Sequence, residues 1–224
     1  MENLIFALII AILLFDSIIG TWLSVLNSRN WPKSVPERIA SVFTQDKFLK
    51  ARNYSIDRSR LSHIVSFFQL ALILAMLFAG GFNWIDQLAA GIWNHPVGHS
   101  IIFFGIILFG SDVLTLPFQW YSVFTIEQKY GFNKSTPAIF IGDKIKSWIM
   151  AAILGGGIFW LLAEIYFSIP DYFWLLAWGV LTLFSLLMTM FYSNIIVPLF
   201  NKQTPLEAGE LRDAIELFAK TNGF

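Results

Sequence analysis

Five apolar runs, at residues 4–26, 63–82, 99–124, 145–168 and 172–198, decide what this chain can fold into. Each is long enough to cross a bilayer as a helix, which takes roughly 20 residues. Composition points the same way. The chain is 56% hydrophobic and 13% charged, with 23 Phe and 9 Trp, whereas soluble domains carry about 25% charged residues. The expectation is an all-α, polytopic membrane protein of about five transmembrane helices whose main partner is the lipid bilayer. A formal net charge of zero leaves no basic surface for nucleic acid, and the absence of cysteine excludes disulfides, thiolate zinc sites and a cysteine nucleophile. The first run is a retained span rather than a secretory signal. No basic residue precedes it, the only charged side chain there being Glu2; it exceeds the usual h-region of about 7–15 residues, and no small-residue cleavage site follows.

Lysine and arginine fall only in alternate connections. Eight lie between the first and second runs, none before the third, four between the third run and the first turn of the fourth (Lys129, Lys134, Lys144 and Lys146), none between the fourth and fifth, and three after the fifth; together these are all 15. Such alternation supports five spans and predicts a side: the N-terminus outside or lumenal, with both basic loops and the C-terminal tail cytoplasmic. In the first basic loop, residues 27–62, Val35-Pro36-Glu37 reads as a helix start. The mixed charges around it suggest a solvated interfacial helix hairpin.

Some polar groups sit inside the apolar runs. Asp112 lies near the middle of the third, and a carboxylate at that depth costs about 2.5–3.5 kcal/mol on insertion scales. It must therefore face protein, through an interhelical hydrogen bond, or the wall of a water-filled cavity; the sequence leaves both open. Pro117 predicts a kink in the same helix. Asp16 in the first run has the same status as Asp112, whereas Glu164 reads as interfacial. His95 and His99 are four apart, but Pro96 between them and flanking tryptophans fit a membrane-interface belt better than a zinc pair. Gly155-Gly156-Gly157 would let another helix approach closely.

The most varied polar stretch between two spans is residues 125–146, with Glu127, Lys129, Lys134, Asp143, Lys144 and Lys146. Ser135-Thr136-Pro137 supplies an N-cap and a proline at the first helical position, so its second half starts the fourth span. In the tail, Thr204-Pro205-Leu206-Glu207 reads as a capping box. Leu211, Ile215 and Phe218 form an apolar stripe, Glu216 and Lys220 an i,i+4 pair, and Gly223 a C′ residue. That stripe needs a surface, which predicts a domain boundary here: residues 1–200 as a transmembrane domain and 201–224 as the start of a cytoplasmic segment leading into a further domain.

Several of these segments together resemble the type I CAAX prenyl proteases, integral-membrane zinc metalloendopeptidases. They are Val35-Pro36-Glu37, Lys50-Ala51-Arg52-Asn53-Tyr54, Ile126-Glu127, Tyr130-Gly131-Phe132-Asn133-Lys134, Asp143-Lys144-Ile145-Lys146 and Val197-Pro198-Leu199-Phe200-Asn201-Lys202. The resemblance implies a helical chamber, a cytoplasmic zinc site, attack of zinc-activated water on a peptide or prenylated-peptide substrate, and a C-terminal peptidase domain. Such enzymes need a His-Glu-x-x-His helix. Here His63, His95 and His99 are the only histidines and none stands in that context, so the zinc ligands are expected outside this chain. The chain alone is expected to be inactive, with no catalytic residue and no metal ligand. Asp112, Glu127, Asn133, Lys134, Asp143 and Lys146 are the candidates for chamber wall or for positioning the catalytic cap. Asn133 could instead merely set a turn, and Asp143 with Lys146 could be a local ion pair. The rival reading is a transporter, channel or non-catalytic membrane protein, weakened by the lack of any internal repeat.

Overall fold

The computed structural model describes residues 2–32, 34–36 and 44–223. Five helices are long and apolar enough to cross a membrane, as the apolar runs require. They are α1 (Glu2–Arg29), α2 (Gln45–Phe78), α4 (Pro96–Tyr130), α5 (Pro137–Ser168) and α6 (Pro170–Phe200). Two shorter helices complete the described chain, α3 (Gly81–Ile92) and α7 (Glu210–Thr221).

Each span packs on the one before it. Aromatic pairs mark the seams: Phe6 with Phe78, Phe68 with Phe118, Phe104 with Phe159, and Tyr166 with Phe173. Large apolar side chains such as Leu108 and Trp174 remain exposed around the outside, as in a protein whose solvent is hydrocarbon. The few buried apolar side chains gather at the two ends of the bundle. Ile85, Ala89 and Val97 lie where α3 meets α4; Phe48, Ile126 and Tyr130 lie at the basic end.

Two expectations need correction. Residues 45–62 are not a separate interfacial hairpin but the first half of α2, which continues unbroken into the second span; of the helix start read at Val35-Pro36-Glu37, Val35 and Pro36 are not helical and Glu37 lies outside the described residues. The connection after α2 is itself helical, because Ile85, Leu88, Ala89 and Ile92 repeat at helical spacing and dock against α4. The glycines at 155–157 meet no neighbour within 4 Å of where a Cβ would stand, so among the described residues no helix approaches them closely. Instead α5 is locally widened at Ala151–Gly155, just ahead of that run. Similar π-helical turns occupy Ser122–Glu127 and Tyr192–Ile196, the first following Pro117 and the second preceding Pro198. Such turns insert a residue into the helix and re-aim the side chains that follow.

The tail differs too. Thr204 does not cap a helix, and α7 starts at Glu210 behind Gly209. A helix begun at Thr204 would carry Gly209 in its second turn, at about 1 kcal/mol. Arg212 donates instead to the Leu206 carbonyl (3.3 Å) and pairs with Glu216 (2.8 Å), which takes Glu216 from its expected partner Lys220. Gly223 does adopt the left-handed conformation, φ 78°, after Asn222.

Candidate functional site: the basic end of the bundle

The stretch linking α4 to α5 is fixed by α2. Asp57, in the polar first half of α2 and ahead of its apolar stretch, accepts hydrogen bonds from Lys129 Nζ (2.7 Å) and Tyr130 OH (2.8 Å). The bond from Lys129 first, then that from Tyr130, holds the Asp57 carboxyl below its ordinary value against an opposing desolvation. The next residue, Arg58, donates to Tyr54 OH one turn back (3.0 Å) and faces Glu127 at 3.8 Å. Tyr54 packs edge-on against both Tyr130 and Phe132. The π-helical turn brings about this arrangement, since it turns Glu127 toward α2 while burying Ile126 beside it.

Beyond Tyr130 the chain reverses through Gly131, whose φ of 72° lies in the left-handed region that favours glycine. The backbone amides of Phe132 and Asn133 both donate to the Glu127 carbonyl. Asn133 then sets the turn: its Oδ1 accepts from the Ser135 amide (2.7 Å), while its Nδ2 donates to Gln128 Oε1 (2.9 Å). Thr136 Oγ1 accepts from the Ile139 amide (3.3 Å) ahead of Pro137, the N-cap expected for α5.

Both carboxylate oxygens of Asp112 are taken up by protein donors. Lys144 Nζ reaches both carboxylate oxygens (3.0 and 3.1 Å), Trp148 Nε1 donates to Oδ2 (2.7 Å) and Gln119 Nε2 to Oδ1 (3.0 Å). Gln119 also donates to Thr115, whose hydroxyl donates back to the carbonyls of Ser111 and Asp112. A carboxylate so saturated has no free lone pair of consequence to offer a substrate. Of the two readings the sequence left open, this geometry is that of an interhelical lock, joining α4 to α5.

Glu127, Asn133, Lys134 and Asp143 line one cleft of about 590 Å³, together with Lys144, Asn201 and Lys202. Lys146 stands beside it, paired with Asp143 (3.2 Å) and over the Phe200 ring. Asp112 does not line the cleft and reaches it only through Lys144. The sequence reading missed Asp57, Lys129, Tyr130, Gln119 and Trp148 as anchors, and Lys144 as the partner of Asp112. One signal was available for the last. A carboxylate at membrane depth needs a cation, and Lys144 is a lysine carried seven residues into α5.

A second polar track runs down α2. Ser55, Ser59, Ser62, Ser66 and Gln69 repeat on one face and line a groove of about 700 Å³ with Thr115, Gln119 and Ser122 of α4. Ser62, Ser66 and Gln69 also border a cavity of about 410 Å³ that includes Asp16, Ser17 and His63. Hydroxyls and amides along two spans make a wettable wall inside the bundle.

The chain's histidines are far from zinc geometry. His63 Nε2 lies 3.1 Å from Ser24 Oγ, His99 faces Asp86 Oδ1 at 3.0 Å, and His95 precedes α4. Among the described residues no group of three His, Asp or Glu side chains could hold a metal ion. These residues therefore do not fit a zinc site.

Comparison with known proteins finds the same five-span architecture elsewhere. The crystal structure of Ste24p from S. mikatae matches with a TM-score of 0.83 and 31% identity, covering 98% of this chain and 52% of that one. A protein named probable CAAX prenyl protease 1 from Schizosaccharomyces pombe is 37% identical over 203 residues, 84% of this chain and 43% of its own length. A CAAX prenyl protease 1 homolog from Arabidopsis thaliana is 33% identical over 201 residues, 85% of this chain and 47% of its own length. The chain thus spans about half the length of the relatives it matches. Residues 25–202 match the family described as the CAAX prenyl protease N-terminal region with five membrane helices, and the chain belongs to that family.

Proposed function

We propose that this chain is the membrane half of a zinc-dependent endopeptidase that hydrolyses peptide bonds in prenylated-peptide substrates. The observation that carries the reading is the match of nearly the whole chain to one half of Ste24p. In this reading residues 1–200 form the transmembrane domain and part of the chamber wall, and residues 201–224 lead into the peptidase domain that supplies zinc, its ligands and the general base. The N-terminus faces the outside or lumen and the basic loops face the cytoplasm, following the alternation of lysine and arginine.

This chain's own residues hold and orient. Asp57 clamps the loop through Lys129 and Tyr130, Asp112 locks α4 to α5, and Asn133 with Gly131 shapes the turn between them. Glu127, Asn133, Lys134, Asp143 and Lys146 then present a polar surround at the end of the bundle, on which the catalytic cap rests. The seryl face of α2 keeps the chamber wall wet along the path of a peptide.

Cleavage of a fluorogenic prenylated peptide by the intact protein in detergent tests this. Activity abolished by a zinc chelator and restored by zinc is expected, and Asn133→Ala should lower it without preventing membrane insertion. An intact protein that inserts and folds but cleaves no peptide would refute the proteolytic reading; undiminished activity in Asn133→Ala would reduce the loop to a connector.

A further inference from the structure

The cleft at the basic end carries a charge imbalance. Three of the cations around it are spoken for: Lys144 by Asp112, Lys146 by Asp143, and Arg58 by Glu127. Both carboxylates that line the cleft, Glu127 and Asp143, are thereby balanced. Lys134 and Lys202 also line it, and neither has an ion-pair or hydrogen-bond partner among the described residues. The side-chain amide of Asn201 is likewise uncommitted. Two Asn-Lys pairs, Asn133-Lys134 before α5 and Asn201-Lys202 after α6, thus converge from different helices and leave two positive charges over one hollow.

We propose that this cleft binds the phosphate of an anionic phospholipid. Position selects a lipid among phosphate-bearing ligands. The hollow opens between the start of α5 and the end of α6, where two spans leave the apolar layer, and long lysines at such places reach phosphate level. Below the mouth the helix surfaces are apolar and exposed: Ile139 and Ile141 on α5, Ile195 and Leu199 on α6. A headgroup seated between Lys134 and Lys202 would lay its acyl chains along those faces. The inference shares Lys134 with the polar surround proposed above but does not rest on the proteolytic reading: the headgroup would sit at the membrane-facing edge of that surround, between Lys134 and Lys202.

Native mass spectrometry of the protein in detergent, with equimolar phosphatidylglycerol and phosphatidylcholine, tests it. Phosphatidylglycerol should be retained in preference. The preference should fall roughly 30-fold in the double variant Lys134→Gln/Lys202→Gln, the effect of two ammonium groups near an anionic surface, and survive in Lys134→Arg/Lys202→Arg. Equal retention of the two lipids by the unmodified protein, or an unchanged preference in the glutamine variant, would overturn the proposal. Displacement of the lipid by inorganic phosphate would assign the cleft to a free anion instead, and overturn it too. A phosphatidylglycerol with a photoreactive headgroup needs no variant: labelling at residues 134–135 and 201–202 is expected, and labelling confined elsewhere would refute the site.

Discussion

Replacing Asp112 by Asn should destabilise the bundle more than replacing Asp112 and Lys144 together. In the native protein the side chains of Lys144 and Asp112 are 21% and 31% exposed, and their contact is 3.0 Å. Removing one member of a buried pair costs about 3–5 kcal/mol, largely because the survivor keeps its charge without a partner. Lys144 borders the cleft and water can reach it, so the lower end, about 3 kcal/mol, applies. The bond from Trp148 on α5 is weakened as well, and hydrogen bonds between membrane helices average about 0.6 kcal/mol each. Asp112→Asn should then lose about 3–4 kcal/mol. In the double variant Asp112→Asn/Lys144→Met no charge is stranded, and the loss should shrink to about 1–2 kcal/mol. Reversible unfolding in mixed micelles, followed by tryptophan fluorescence, measures both; Trp148 itself reports on the seam. Equal stability of Asp112→Asn and the native protein would refute the lock. So would strictly additive losses, which would mean that the two side chains do not interact.

Gly131→Ala should lose about 1–2 kcal/mol, because the left-handed backbone at φ 72° then carries a Cβ; limited proteolysis within residues 128–136 would reveal the loosened turn. Gly98→Ala should lose about 1–3 kcal/mol, since the added Cβ would collide with the Trp93 indole; the double variant Gly98→Ala/Trp93→Ala should show a non-additive recovery in thermal unfolding. The Asp57 clamp predicts a pH dependence. Its carboxyl titrates below the ordinary carboxylate value when folded, so its stabilisation is fully present above the unfolded pKa and is lost as pH falls through the folded one. Acid unfolding of Asp57→Asn should lack that share of the pH dependence, and curves of identical shape for the two proteins would refute the clamp.

Features that depend on local pattern were legible in the sequence. Five spans followed from apolar length, the α5 cap from Ser-Thr-Pro, and the Asp143–Lys146 pair from spacing three on one helix. Features set by packing between distant segments were not. Asp112 finds Lys144 and Trp148 more than 30 residues away, and Asp57 meets Lys129 from another helix, so no window along the chain displays either contact. The π-helical turn at Ser122–Glu127 escaped for a related reason: nothing in SVFTIE distinguishes it from ordinary helix, yet it aims Glu127 and buries Ile126. The tail shows the opposite failure. Thr204–Glu207 has the residues of a capping box, but Gly209 makes the turn after it a poor helix.

The most direct test of the account is reconstitution from two halves. The chain would be expressed with the proposed peptidase half as a separate polypeptide, and cleavage of a prenylated peptide followed in purified membranes. The account predicts no cleavage by this chain alone, cleavage by the pair, and loss of that cleavage when Asp57→Ala and Asp112→Asn are introduced together. Undiminished cleavage by the pair carrying both substitutions would contradict it, because the clamp and the lock would then contribute nothing to the chemistry they are held to support.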